Sequence, residues 1–163
     1  MRCAPVLLAV LAALVLAGTG VAREQGSPDD VVSRYLAALQ NGKAEDAYDL
    51  VSKAMRQGKD KEVWVKEQKA LLAMADVKIF EFKVGTPKIE GDKAQVPNVL
   101  ESQDKFVNTL GLTEHELYTL VREDGAWKVD SQILLEQAEI PKRFPHEDKK
   151  GGPGEGGGPT PSH

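Results

Sequence analysis

The hydrophobic pattern of this chain changes its period at Val77, and that change limits the folds open to it. Before Val77, apolar residues recur every three or four positions, as they do on one face of an α-helix. After Val77 they alternate with polar residues, as they do on one face of a β-strand. Helices that precede strands, and do not alternate with them, favour the α+β class with helices packed on a mainly antiparallel sheet.

Three helices are predicted before Val77. The first begins at Ser27-Pro28, where Ser27 can cap backbone N–H groups and Pro28 suits the first helical position, and it ends at Asn41-Gly42. Its apolar stripe consists of Val31, Val32, Tyr35, Leu36 and Leu39. A second helix is predicted in KAEDAYDLVSKAM, with one apolar side formed by Ala44, Ala47, Tyr48 and Val51. Asp60 can cap a third, half-buried helix, whose stripe is Trp64, Glu67 or Gln68, Leu71, and Met74 or Ala75.

The first predicted hairpin joins VKIFEFKV to KAQVPNVLE through a two-residue Gly91-Asp92 turn. This turn pairs positions that sum to 183, such as Ile89 with Ala94 and Val84 with Val99. Near the turn the apolar face holds Ile89, Ala94 and Val96; farther away the opposite face holds Phe80, Phe82, Val84 and Val99. Both arms change face near Pro87 and Pro97, which predicts a bend or bulge at that level.

The second hairpin, LVREDGAWKVD, turns at Asp124-Gly125 and pairs positions that sum to 249. Arg122 then lies opposite Trp127, where its guanidinium can stack on the indole ring. One face is predicted to hold Tyr118, Leu120, Trp127, Val129, Ser131 and Ile133, and the other to hold Thr119, Lys128, Asp130 and Gln132. Residues 102–114 fit either a short helix or a strand that continues to a wide loop.

The two ends of the chain differ from the predicted domain at residues 27–136. Residues 1–22 have the features of a signal peptide: Arg2, an apolar stretch, and small residues before a cut after Ala22. This predicts export to the periplasm or the extracellular space, with no stable membrane anchor after cleavage. Residues 23–26 form a short lead-in. Residues 137–163, rich in Gly, Pro and charge, are predicted to be a disordered tail.

Charge and cysteine content exclude several classes of function. The chain has 21 Lys and Arg against 25 Asp and Glu, so loss of Arg2 leaves 20 bases, 25 acids and a net charge of −5. Such a surface offers no basic footprint for nucleic acid. The only cysteine, Cys3, lies inside the predicted signal, so the exported chain has no disulfide and no Cys metal ligand.

Three segments carry a resemblance to a known family: SPDDVVSRYLAALQNGKAEDAYDLVS, IEGDKAQV and LVREDGAWKVD. In this order and spacing they resemble the nuclear-transport-factor-2-like superfamily, and in particular small exported bacterial domains of unknown function. The likeness covers about residues 27–135. It implies a cone-like fold, with helices packed into the concave side of a strongly curved sheet. The superfamily contains isomerases and cyclases as well as domains without catalysis, so the fold does not decide the function.

No convincing catalytic or metal-binding set is found among the residues. His115, His146 and His163 lack the spacing of metal ligands, and there is no GxSxG nucleophile motif. Neither a catalytic residue, nor a metal site, nor a cofactor is therefore predicted. The candidates for lining a pocket are aromatic, each with core packing as its alternative role: Tyr35, Tyr48, Trp64, Phe80, Phe82, Tyr118 and Trp127.

These observations favour an exported, non-enzymatic domain that binds a partner protein or a small apolar ligand in or near the cell envelope. The competing hypothesis is a small isomerase, cyclase or dehydratase that uses the cone, with Tyr35 or Tyr48 polarising a carbonyl group and a carboxylate as base. A third alternative is a homodimer formed through the open face of the sheet.

Overall fold

The computed structural model describes residues 26–144, which form helices followed by an antiparallel sheet. The helices are α1 (Pro28–Gln40), α2 (Ala44–Tyr48), α3 (Lys53–Arg56), α4 (Lys61–Ala75) and α5 (Ile140–Arg143). The strands are β1 (Lys78–Val84), β2 (Lys88–Glu90), β3 (Lys93–Gln103), β4 (Thr113–Glu123) and β5 (Ala126–Leu134). The predicted signal peptide and the predicted tail after residue 144 lie outside the described residues. No helix between residues 26 and 144 is long and apolar enough to cross a membrane.

Helix α1 begins and ends where the sequence predicts. It starts at Pro28, and Gly42 has a positive φ of 66° just beyond its end, a conformation that glycine adopts without strain. The predicted capping bond of Ser27 is wrong, because its side chain makes no hydrogen bond to the helix. Asp29 and Asp30 in the first turn supply the favourable charge at the positive end of the helix dipole.

The predicted second helix is in fact two short helices, α2 and α3. Residues 50–52 leave the helical path to pair with β5: the Val129 N–H donates to Leu50 O at 2.9 Å, and the Ser52 N–H donates to Val129 O at 2.8 Å. Ser52 then caps α3, accepting a bond from the Met55 N–H at 3.0 Å. Pairing with the sheet outweighs the local helical preference of this segment.

Asp60 caps α4 as predicted, since its carboxylate accepts a bond from the Val63 N–H at 2.9 Å. Trp64 is buried against the core, with 2 % of its surface exposed. In the rest of the predicted stripe Leu71 and Met74 are wrong, since they are 52 % and 60 % exposed, whereas Glu67, Gln68 and Ala75 are half-buried. The prediction of a half-buried helix is confirmed.

The sheet confirms the predicted fold class. Its order is β1-β3-β4-β5, all antiparallel, with β2 also pairing β3, and the sheet is not closed. Alternate residues of β3 are buried on the face toward the helices, here called the inner face: Ala94, Val96, Asn98, Leu100 and Ser102. This face and α1 enclose most of the core.

The first hairpin bends near Pro87 and Pro97 as predicted, but its register beyond the bend is wrong by one residue. Ile89 pairs with Ala94 as predicted, whereas Val84 pairs with Asn98 instead of Val99. The predicted change of apolar face does not occur in β3, where the buried positions continue on the inner face and Val99 lies on the opposite one. A second irregularity between Ile79 and Glu81 leaves Phe80 54 % exposed.

The last hairpin follows the predicted register from its turn to the Leu120–Val129 pair, and the Arg122 guanidinium lies 4.6 Å from the centre of the Trp127 ring. Beyond that pair the register shifts by one at Asp130, so that Tyr118 pairs with Gln132 instead of Ser131. The predicted faces are therefore wrong for this end of β5. Gln132 comes to the same face as Tyr118, and Ile133 is 54 % exposed.

The last described residues cover part of the outer face, opposite the helices. Phe144 is buried, its ring centre 4.9 Å from that of His115, and the Arg143 guanidinium donates to Gln95 Oε1 at 2.7 Å. Residues 137–144, predicted from the sequence to be part of a disordered tail, thus carry α5 and pack on the sheet.

Of the two alternatives for residues 102–114, the structure has the second: β3 runs to Gln103 and a loop follows.

Candidate functional site

A buried carboxylate lies on the inner face of the sheet and is surrounded by hydrogen-bond donors. Glu116 is 1 % exposed. Its Oε2 atom accepts bonds from Asn98 Nδ2 at 2.8 Å and from the Tyr118 hydroxyl at 3.1 Å, and its Oε1 atom accepts one from Gln132 Nε2. These four residues are called the Glu116 cluster below.

The strand register explains how this cluster assembles. Asn98 of β3 is the direct cross-strand partner of Glu116 in β4, and Tyr118 follows Glu116 by two positions on the same face. Gln132 joins them only because of the register shift at Asp130. At the shifted residue, the Ser52 hydroxyl donates to Asp130 Oδ1 at 2.6 Å.

Burial dominates the electrostatics of the cluster. Desolvation raises the pKa of Glu116, although its hydrogen bonds from Asn98, Tyr118 and Gln132 oppose the effect. Burial, reinforced by the Glu116 charge, raises the pKa of Tyr35 to about 12 and that of Tyr118 well above its ordinary value. The Tyr35 and Tyr118 rings meet edge to face, with their centres 6.2 Å apart.

This arrangement can hold or release a proton at Glu116 and can donate hydrogen bonds from two tyrosines. Asn98 and Tyr118 are fully buried, whereas Gln132 is exposed and forms the side of the cluster that faces solvent. The Oδ1 atom of Asn98 is buried without a hydrogen-bond partner. No group of three or more His, Cys, Asp or Glu residues between residues 26 and 144 is placed to hold a metal ion.

An open cleft separates the end of α1 from α4 and the start of β1. Its volume is about 440 Å³, within the range typical of small-molecule sites. Apolar side chains of all three elements line it, and Gln40 bridges one side by donating to the carbonyls of Ile79 and Phe80 at 3.3 and 3.1 Å. The lining residues are Leu39 and Gln40 of α1, Gly42 just after it, Leu72 and Ala73 of α4, Asp76 and Val77 between α4 and β1, and Lys78 and Ile79 of β1.

Exposed apolar side chains are concentrated beside this cleft. Leu71 and Met74 lie in the last turns of α4, and Phe80 lies in β1. Four more project from the loop at residues 104–112, here called the apolar loop, which is joined to α4 by a bond from the Lys105 N–H to Ala75 O at 2.9 Å. These four are Phe106, Val107, Leu110 and Leu112, which are 65, 75, 80 and 58 % exposed.

The aromatic residues predicted to line a pocket are distributed over several places. Tyr35 and Tyr118 meet at the Glu116 cluster. Tyr48 and Trp64 form a second pair, with ring centres 5.6 Å apart, and Arg56 lies over Tyr48. Trp127 is buried beneath Arg122.

The two phenylalanines of β1 differ in their surroundings. Phe82 packs on the core, whereas Phe80 is exposed next to the apolar loop, within reach of Gly111. Their role as pocket-lining residues stays a prediction.

Sequence reasoning missed Glu116, Asn98 and Gln132. Asn98 carried a usable signal, since it occupies an inner position of the otherwise apolar row formed by Ala94, Val96 and Leu100. A polar residue in such a row needs a partner on the neighbouring strand. Gln132 gave no such signal, because the shift at Asp130 is needed to bring it to this face.

No protein-family model matches the chain, and no curated protein matches it in sequence. Solved structures do match its fold. A SEC-C motif containing protein from Rhodopseudomonas palustris has a TM-score of 0.52 at 14 % identity, over 68 % of this chain and 83 % of that one. A ketosteroid isomerase-like protein from Erwinia carotovora atroseptica has a TM-score of 0.49 at 14 % identity, over 71 % and 98 %.

A third match is a candidate dehydratase of the NTF2-like family from Streptomyces avermitilis, with a TM-score of 0.45 at 14 % identity over 63 % of this chain and 87 % of that one. Structures named NTF2-like and ketosteroid isomerase-like are thus among those to which this fold is similar. At these identities the likeness concerns the fold alone, and NTF2-like proteins differ in what they do.

Proposed function

We propose that this protein is an exported, non-enzymatic domain that binds a small apolar ligand in or near the cell envelope. The observation that carries the proposal is the cleft between α1, α4 and β1, which is lined by Leu39, Leu72 and Ile79. Gln40, Asp76 and Lys78 add polar groups to this lining, and small-ligand sites combine apolar side chains with placed polar ones. Export rests on the signal-peptide pattern of residues 1–22.

The same surface would also suit a partner protein that presents apolar side chains. Leu71, Met74 and Phe80 extend the apolar surface beyond the cleft, and large exposed apolar patches mark interaction sites. A protein partner would cover these side chains, whereas a small ligand would be confined to the cleft. The two forms of the proposal therefore predict different effects of filling the cleft.

The test uses 1-N-phenylnaphthylamine, an apolar dye whose fluorescence rises in apolar surroundings. Ala73→Phe places a ring in the cleft from an exposed position on α4, and we expect it to weaken dye binding roughly tenfold. The matched control is Ala70→Phe, one turn earlier on the same helix, exposed and outside the residues that line the cleft. Equal dye binding by both variants would contradict a ligand site in the cleft.

The Glu116 cluster favours a second candidate, an isomerase, cyclase or dehydratase. A carboxylate whose pKa is raised by burial, bonded by the Tyr118 hydroxyl with the Tyr35 ring packed on Tyr118, resembles the acid–base equipment of such enzymes. Gln132 lies on the solvent-exposed side of the cluster. A substrate would reach Glu116 from that side.

This candidate predicts proton transfer that depends on Glu116. If the protein moves the double bond of a β,γ-unsaturated ketosteroid, followed by ultraviolet absorbance, Glu116→Gln should lower that rate roughly 100-fold or more. Tyr48→Phe, at the separate Tyr48–Trp64 pair, is the control and should keep the rate. Turnover that survives Glu116→Gln would rule out Glu116 as the base.

A further inference from the structure

We infer that the apolar loop, residues 104–112, docks the protein reversibly on a phospholipid surface. Four large apolar side chains project from nine consecutive residues, and the least exposed of them, Leu112, is still 58 % accessible. They lie on one surface loop between β3 and β4. Exposed apolar side chains so close together suit partial insertion between lipid headgroups, where they leave water without needing a complementary partner surface.

Most N–H groups of this loop are paired within the protein, which favours transfer to an apolar environment. The Asp104 carboxylate accepts bonds from the N–H groups of Phe106, Val107 and Asn108, at 2.6, 2.7 and 3.2 Å. Bonds from the N–H groups of Val107 and Phe106 lower the pKa of Asp104. The negative charge of Asp104 is therefore compensated by N–H groups of the loop itself.

Asn108 completes the internal bonding of the loop. It is buried, its Nδ2 atom donates to the carbonyls of Ser102 and Leu112 at 2.8 and 2.7 Å, and its Oδ1 atom accepts from the Leu112 N–H at 2.7 Å. Altogether, seven of the nine loop N–H groups, at residues 104–108, 111 and 112, have protein acceptors. Unpaired backbone groups are costly in lipid, and of the loop N–H groups only those at residues 109 and 110 remain to be desolvated.

The charged groups near the loop include Asp76, which lies beside Asp104 and Lys105 and pairs with Lys78 Nζ at 3.4 Å. Asp104 is engaged by the loop backbone, and Glu114 accepts a bond from the Ser102 hydroxyl at 2.7 Å, while the Lys105 side chain is exposed. An exposed lysine at the base of an apolar loop can reach lipid phosphates. A loop that keeps its own hydrogen bonds offers a protein partner little specific recognition. Because the whole chain is acidic, insertion and not electrostatic attraction should drive binding.

The test is sedimentation of the protein with phosphatidylcholine vesicles. We expect the unaltered protein to bind, and Phe106→Ser and Leu110→Ser each to weaken partitioning roughly tenfold, which follows from the loss of one large apolar side chain. Ile89→Ser is the matched control, since Ile89 is 52 % exposed but lies in β2, outside the loop. Raising the salt concentration should change binding less than roughly twofold.

Several results would overturn the inference. They are absence of vesicle binding, equal weakening by Ile89→Ser and Phe106→Ser, or binding that needs anionic lipid and is lost in salt. Loop-dependent capture of a protein without vesicle binding would assign the loop to a protein partner instead. The inference is independent of the ligand cleft: Phe106→Ser should keep dye binding, and Ala73→Phe should keep vesicle binding.

Discussion

Replacing Glu116 by leucine should lower the free energy of unfolding by about 2–5 kcal/mol. The change removes the acceptor shared by Asn98 and Tyr118, two fully buried donors, and each donor left unpaired costs about 1–3 kcal/mol. Gln132 contributes less, because it is exposed and can turn to water. Urea unfolding followed by tryptophan fluorescence measures the loss.

Glu116→Gln is the matched control, because its carbonyl can keep the bonds from Asn98 and Tyr118. It should cost less than leucine and should also remove a pH dependence. The folded-state pKa of Glu116 is raised above its ordinary value of 4.5, so the native protein holds this proton more tightly than the unfolded chain does. The resulting stability is fully present below pH 4.5 and is lost as the pH rises through the folded-state pKa.

Unfolding curves of the two proteins should therefore diverge with pH. Relative to Glu116→Gln, the unaltered protein should lose stability as the pH rises above 4.5. A stability difference that stays constant with pH would contradict a raised pKa at Glu116. A difference that grows in favour of the unaltered protein would mean that the three hydrogen bonds outweigh burial and lower that pKa.

Trp127→Ala should destabilise the protein by about 3–5 kcal/mol, as expected when a buried tryptophan leaves a cavity that the fold fills only partly. Trp127 is 6 % exposed and belongs to the main core cluster, so its loss loosens β5 from the helices. Thermal or urea unfolding measures the change.

The control for this variant is Arg122→Ala. It removes the guanidinium above Trp127 but leaves the indole ring in the core, and an exposed cation–π contact is worth about 0.5–1 kcal/mol. A small loss for Trp127→Ala, equal to that for Arg122→Ala, would show that Trp127 is not a core anchor.

The sequence predicts this sheet well close to its turns and poorly far from them. Ile89 pairs with Ala94, and Arg122 with Trp127, because two-residue turns fix the register locally. Each bulge adds one residue to one strand and reverses the faces beyond it, without any local residue pattern to mark it. The sequence therefore predicts the wrong face for Val84, which pairs with Asn98 of the inner face, and for Gln132.

The candidate site was harder to predict than the fold, for two physical reasons. Around Glu116 the strand reads HELYTLV, and because Leu117 is also buried, on the outer face, the alternation that would mark the inner face is blurred. Helical spacing likewise could not show that Leu71 and Met74 lack a covering element, since periodicity reveals a face but not what packs on it. Residues 50–52 depart from the predicted helix because they pair with β5. This contact joins residues far apart in the chain, and local helix propensity carries no information about it.

Amide NMR spectra of the protein, titrated with 1-N-phenylnaphthylamine, test most directly whether the α1–α4–β1 cleft is the binding site. Our account predicts that the largest shifts fall on residues lining the cleft, among them Gln40, Ala73 and Ile79. It also predicts that Ala73→Phe abolishes these shifts and Ala70→Phe does not. Shifts centred on Glu116 and Gln132, or scattered over the surface, would contradict it.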